Sequence, residues 1–102
     1  MKYFSLFNHS HQVTFKEALF RGLAPDGGLY FPTRVKPLKK SFIDNLKNFS
    51  KSEIAYNVIS QFVGDDIGKK QLTEIIDHSI NFDFPLKQLN ENISVLELFH
   101  GP

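Results

Sequence analysis

Thr14-Phe15-Lys16-Glu17-Ala18-Leu19-Phe20-Arg21-Gly22-Leu23-Ala24-Pro25-Asp26-Gly27-Gly28-Leu29-Tyr30-Phe31-Pro32 holds a helix start, a helix stop, a tight turn and a strand in immediate succession. Thr14 and Glu17 stand three apart, the spacing of a capping box, in which hydroxyl and carboxylate satisfy open amides of the first turn. Phe15, Ala18 and Leu19 share one helical face, and Gly22 is a left-handed stop, which predicts a helix from Phe15 to Arg21. Pro25-Asp26-Gly27 is a turn with a mechanism: Pro fixes φ, Asp bonds its own backbone, and Gly supplies positive φ. Leu29-Tyr30-Phe31 reads as a brief strand ended by Pro32.

The flanks extend this alternation. Tyr3 to Phe7 reads as an opening strand and Asn8 to Gln12 as a polar turn. Ser41 is placed to cap an element in which Phe42, Leu46 and Phe49 repeat at helical spacing. Ser50-Lys51-Ser52-Glu53 is a second capping box, opening a helix with Ile54, Val58, Ile59 and Phe62 on one side and Gly64 as its stop. Another helix runs from Lys69 to Ile80, with Leu72, Ile75, Ile76 and Ile80 as its apolar stripe. Phe82-Asp83-Phe84-Pro85 cannot continue it. Ile93 to Phe99 reads as a strand apolar enough to be buried in a sheet. The expectation is a single α+β domain of about four helices packed with short β-strands around a Phe-rich core.

Composition limits what such a domain can do. The chain has 102 residues, room for one domain, and 41% of them are apolar, enough for a single core and too many for a disordered chain. Twelve basic and 11 acidic side chains leave a net charge of +1, which argues against a general nucleic-acid binder. Cysteine is absent, which excludes a disulfide scaffold, a thiolate metal site and a Cys nucleophile, and fits a reducing compartment. No apolar run reaches membrane-spanning length, and Met1-Lys2-Tyr3-Phe4-Ser5 lacks the apolar stretch of a secretory signal.

The residues alone carry little chemistry. His9-Ser10-His11 could offer two imidazoles to zinc, but no third ligand is marked by spacing, so a polar turn is the plainer reading. His78 sits near a helix C-terminus, where its charge suits the dipole. Arg34-Val35-Lys36-Pro37-Leu38-Lys39-Lys40 is first a solvated connection and only then an anion patch. There is no phosphate-loop pattern and no nucleophile elbow. Gly27-Gly28 and Asp26 serve either a tight turn or a ligand. The chain closes on His100-Gly101-Pro102 directly after an apolar strand, and Gly-Pro normally introduces a turn leading onward. The expectation is the first domain of a longer protein.

Three segments resemble the threonine synthase family, in the family's order: Val13 to Pro32, Gln61-Phe62-Val63-Gly64-Asp65-Asp66-Ile67, and Val95-Leu96-Glu97-Leu98-Phe99-His100-Gly101-Pro102. The resemblance implies residues 1–102 as the N-terminal domain of a fold-type-II enzyme that depends on pyridoxal 5′-phosphate. That enzyme, a carbon-oxygen lyase acting on phosphates, converts O-phospho-L-homoserine and water to L-threonine and phosphate in the cytoplasm. It implies a continuation Thr-Leu-Ala-Phe-Lys-Asp whose Schiff-base lysine lies just beyond Pro102, with the catalytic domains and the phosphate-holding loop further on. Catalytic, cofactor-binding and metal-binding residues are therefore expected to be none within this stretch, which alone would catalyse nothing. Asp26, Gly27, Gly28, His100 and Gly101 are the residues it places toward the active site, as a wall over the cleft. The implied partners are the substrate and the remaining domains of the same chain, with no nucleic acid and no membrane. Ser5-Leu6-Phe7-Asn8 stands where many members carry Ser-Thr-Arg-Gly, so that arginine's anion contact is not carried over; Asn8 and His9 are the neutral donors at hand. The residues leave one rival, a non-catalytic synthase-like or protein-interaction module.

Overall fold

Tyr3–Ser5 forms β1, the central strand of a three-stranded antiparallel sheet ordered β2-β1-β3, with β2 at Gln12–Val13 and β3 at Tyr30–Pro32. The computed structural model describes residues 1–101. Pro32 lies in an edge strand, where its missing N–H interrupts no ladder. Between β2 and β3 runs α1, Phe15–Arg21, with the bounds the sequence predicts. Thr14 Oγ1 accepts from the Glu17 amide at 3.2 Å, but the Glu17 carboxylate pairs with Arg21 instead of returning to the cap. Gly22 takes φ +73°, which a side chain would resist.

The helical half begins with a short α2 at Lys40–Asp44 and a 3-10 turn at Leu46–Asn48. The expected Ser41 cap is corrected here: Lys39 occupies that position, without a side-chain bond. Phe42 and Phe49 nonetheless meet at 4.9 Å. The Ser50 box forms completely and opens α3, Lys51–Val63. A turn at Gly64–Gly68 then leads into α4, Lys69–Ser79.

Two clusters form the core. Tyr3, Val13 and Ala18 close under the sheet, and Val63, Leu72 and Ile76 lock α3 to α4, with Phe15 packed against both. The Tyr3 hydroxyl, whose pKa is raised by burial and by nearby Asp66, donates to the Phe62 carbonyl at 3.0 Å and ties sheet to helices. The expected Phe-rich core is corrected: no phenylalanine is fully buried, and Phe7, Phe20 and Phe99 are largely exposed. Leu19 and Ile75 of the expected helical stripes also face outward.

The chain then leaves the helices. Leu86–Asn90 (β4) and Ile93–Leu96 (β5) make a hairpin around Glu91-Asn92. The sequence reading missed β4, carried β5 on to Phe99, and expected it buried. Every residue of both strands is instead exposed. The radius of gyration is 16.8 Å, against the roughly 13 Å of a compact chain this long.

Candidate functional site

The Pro25-Asp26-Gly27 turn is real and anchored. The Gly27 amide donates to the Ala24 carbonyl at 2.8 Å, and the Ala24 amide to the Gly28 carbonyl at 2.9 Å. Gly27 takes φ +80°. Asp26 Oδ1 accepts from the Gly28 amide at 2.9 Å and from Ser5 Oγ at 2.7 Å, while Ser5 Oγ accepts from the Phe7 amide at 3.2 Å. Ser5 is wholly buried at the end of β1, opposite Tyr30 across the sheet. A methyl group on Gly28 would collide with Ser5 Oγ, so that glycine is there for close approach. These bonds, Ser5 first, hold the Asp26 carboxyl below its ordinary range; His11 adds a smaller charge effect. Asp26 thus spends one oxygen on the turn. Leu6, Phe7, Leu23 and Leu29 stand exposed around it.

Ser5 is the partner that sequence reasoning missed. Its only signal is register: Tyr3 and Ser5 alternate onto the buried face of β1. The His9 ring rests 4.4 Å from that of Phe4, while His11 Nε2 is buried with no protein partner. Among the described residues no group of three metal-ligating side chains forms, and no helix is long and apolar enough to cross a membrane. His78 lies exposed in the last turn of α4. In the basic stretch the Lys36 amide donates to Gln61 and Lys40 pairs with Asp44, with the charged side chains in solvent.

The exit is the second anchored place. The Glu97 amide donates to the Pro85 carbonyl at 3.0 Å, and His100 Nε2 lies 2.7 Å from Glu97 Oε2. His100 also stacks on Phe99 at 4.5 Å. Gly101 lies against the Phe82 ring. The expected exit His100-Gly101-Pro102 ends on Pro102, which lies outside the described residues. The structure does not bring Asp26 and His100 into one cluster; each is held by its own neighbours.

A sheet of three short strands leaning on a helical pair, with a fixed turn and a fixed exit, is a small α+β module, and it recurs inside known enzymes. It superposes on threonine synthase from Escherichia coli with a TM-score of 0.91 at 31% identity, covering 99% of this chain and 24% of that one. On threonine synthase with bound pyridoxal phosphate from Brucella melitensis it scores 0.90 at 36% identity, covering 100% and 23%. The threonine synthase of Schizosaccharomyces pombe is 36% identical across the whole chain, which spans 21% of that protein. The family model "Threonine synthase N terminus" matches residues 2–80. The chain belongs to that family. It spans about a fifth to a quarter of the length of the curated relatives it matches.

Proposed function

We propose that this chain is the N-terminal domain of a cytoplasmic, pyridoxal-phosphate-dependent threonine synthase that turns O-phospho-L-homoserine and water into L-threonine and phosphate. The observation that carries the reading is the backbone likeness to two threonine synthases over essentially the whole chain, exit segment included. In this reading the rest of the enzyme follows Pro102, with the Schiff-base lysine in a Thr-Leu-Ala-Phe-Lys-Asp continuation.

The residues present do not themselves fit the cofactor. All the lysines of this chain are exposed, and none sits in a closed pocket beside phosphate donors. No step is therefore assigned to them. When bound elsewhere in the enzyme, the cofactor supplies the electron sink for the elimination. This domain's part is to wall the cleft and exclude water. The exposed apolar rim around Asp26 and the exposed hairpin are the surfaces the catalytic domains cover. Asp26, Gly27, Gly28, His100 and Gly101 face the active site in this reading. Asp26 Oδ2, which makes no hydrogen bond among the described residues, is the oxygen left for it.

The test is the full-length protein supplied with pyridoxal phosphate and O-phospho-L-homoserine. Release of L-threonine and phosphate in equal amounts is expected; a gene that stops after Pro102, or continues without a lysine in the next ten codons, defeats the reading. Asp26→Ala in that protein should lower kcat/KM several-fold. A change under about twofold rejects a role for Asp26 in the active site.

A further inference from the structure

Gly101 lies against the Phe82 ring. A Cβ at Gly101 would stand 2.6, 2.8 and 2.9 Å from three ring carbons, closer than real Cβ atoms approach anything. The segment that carries the ring is itself held. Lys51 Nζ, at the start of α3, donates to the Phe82 carbonyl at 3.1 Å and to Asp83 Oδ1 at 2.6 Å. The same ammonium lies 4.8 Å from the centre of the Phe84 ring, and Phe82 and Phe84 meet edge-on at 6.2 Å. The Pro85 carbonyl takes the Glu97 amide, which adds a backbone tie between the linker and the exit. The helical body, the Phe82–Pro85 linker and the Glu97–Gly101 exit therefore form one mechanical series.

We propose that Phe82 is a positioning residue: its backbone, fastened to α3 through Lys51, and its ring, set edge-on against Phe84, fix where the chain stands at Gly101 and so where it delivers the lysine beyond Pro102. The consequence for the lysine rests on the function proposed above; the contact does not. A side chain at Gly101 would have to move either the Phe82 ring or the exit itself. Displacement of a reacting group by about 1 Å costs on the order of a hundredfold in rate.

The full-length protein tests this with Phe82→Ala, Gly101→Ala and the pair together. Gly101→Ala should lower kcat by about tenfold or more while KM stays within about twofold, the mark of a misplaced reacting group. Phe82→Ala should lower kcat by less, since it loosens the exit without displacing it. The double variant should be no slower than Phe82→Ala alone, because the obstacle to the methyl has gone. Losses that multiply in the double variant, or a Gly101→Ala enzyme with unchanged kcat, overturn the proposal. A second readout needs no activity. In the same protein labelled at glycine, ring current should move the Gly101 α-protons upfield, and Phe82→Leu, the milder change, should abolish that displacement. Gly101 protons at ordinary shifts overturn the contact itself. An intact ring-current signature in a protein that makes no threonine instead overturns the functional reading and leaves the contact standing.

Discussion

Leu72 and Leu86 are the same side chain in regular elements fourteen residues apart, yet Leu72 is 3% exposed and Leu86 is 68% exposed. Leu72 lies on α4, where Val63 and Ile76 close over it. Leu86 lies on β4, whose backbone is paired to β5 but whose residues are all exposed. Backbone pairing and side-chain burial are thus separable. The body satisfies both within the chain, while the hairpin satisfies only the first. A two-stranded hairpin is marginal in water without something packed on it, so its order depends on what covers it.

The largest expected effect is on the body side of this contrast. Ile76→Ala should cost about 2–5 kcal/mol, the range for emptying a closed core site, read as a lowered urea midpoint with unchanged slope. Leu86→Ala in this chain should stay within about 0.5 kcal/mol, as exposed substitutions do. Equal costs at both positions would break the distinction between self-closed and uncovered regions. In the full-length protein the Leu86 cost should rise above that level, since the proposed catalytic domains cover the hairpin.

A smaller effect belongs to the turn. Gly28→Ala should cost about 1–3 kcal/mol, because the methyl must displace Ser5 Oγ from a well-packed site. Ser5→Ala should cost about 1–3 kcal/mol for the two hydrogen bonds its hydroxyl makes. The double variant should cost less than the two together, since Ser5→Ala removes the atom that the Gly28 methyl meets. Additive losses, read from thermal unfolding, would show that Gly28 is needed for some other reason.

What was legible in the sequence follows from range. Thr14 with Glu17, Ser50 with Glu53, and Pro25-Asp26-Gly27 act within a few residues, and the helix starts and the turn stand where those residues put them. The domain's family was legible because three segments keep their order. β4 was not, because Leu86-Lys87-Gln88-Leu89-Asn90 is poor in β-branched residues and has no closed face to impose a period of two. The burial of phenylalanines was misread because apolar character says that a residue seeks cover, not that this stretch of chain supplies it. Ser5 with Asp26 and Phe82 with Gly101 are contacts across 21 and 19 residues, set only once the elements pack.

The smallest effect separates the two regions by how each holds an acid. Asp26 in the body is held below its ordinary value of 3.8 by bonds from Ser5 Oγ and the Gly28 amide, donors without net charge. Asp83 at the base of the hairpin is held below the same value by Lys51, through its hydrogen bond and then its charge. Both carboxyls are lowered on folding, so each stabilises the fold above its ordinary pKa and loses that contribution as pH falls through the lower folded value. The donors then predict different salt responses. In a carboxyl-carbon NMR titration, raising salt from about 0.01 M to about 1 M, which shortens the screening length from about 30 Å to about 3 Å, should move Asp83 back toward 3.8 and leave Asp26 nearly in place. Ser5→Ala should raise Asp26 and leave Asp83 alone, and Lys51→Ala should do the reverse. If salt moves the two carboxyls equally, charge rather than hydrogen bonding holds the turn, and His11, whose charge already acts on Asp26, becomes its main support.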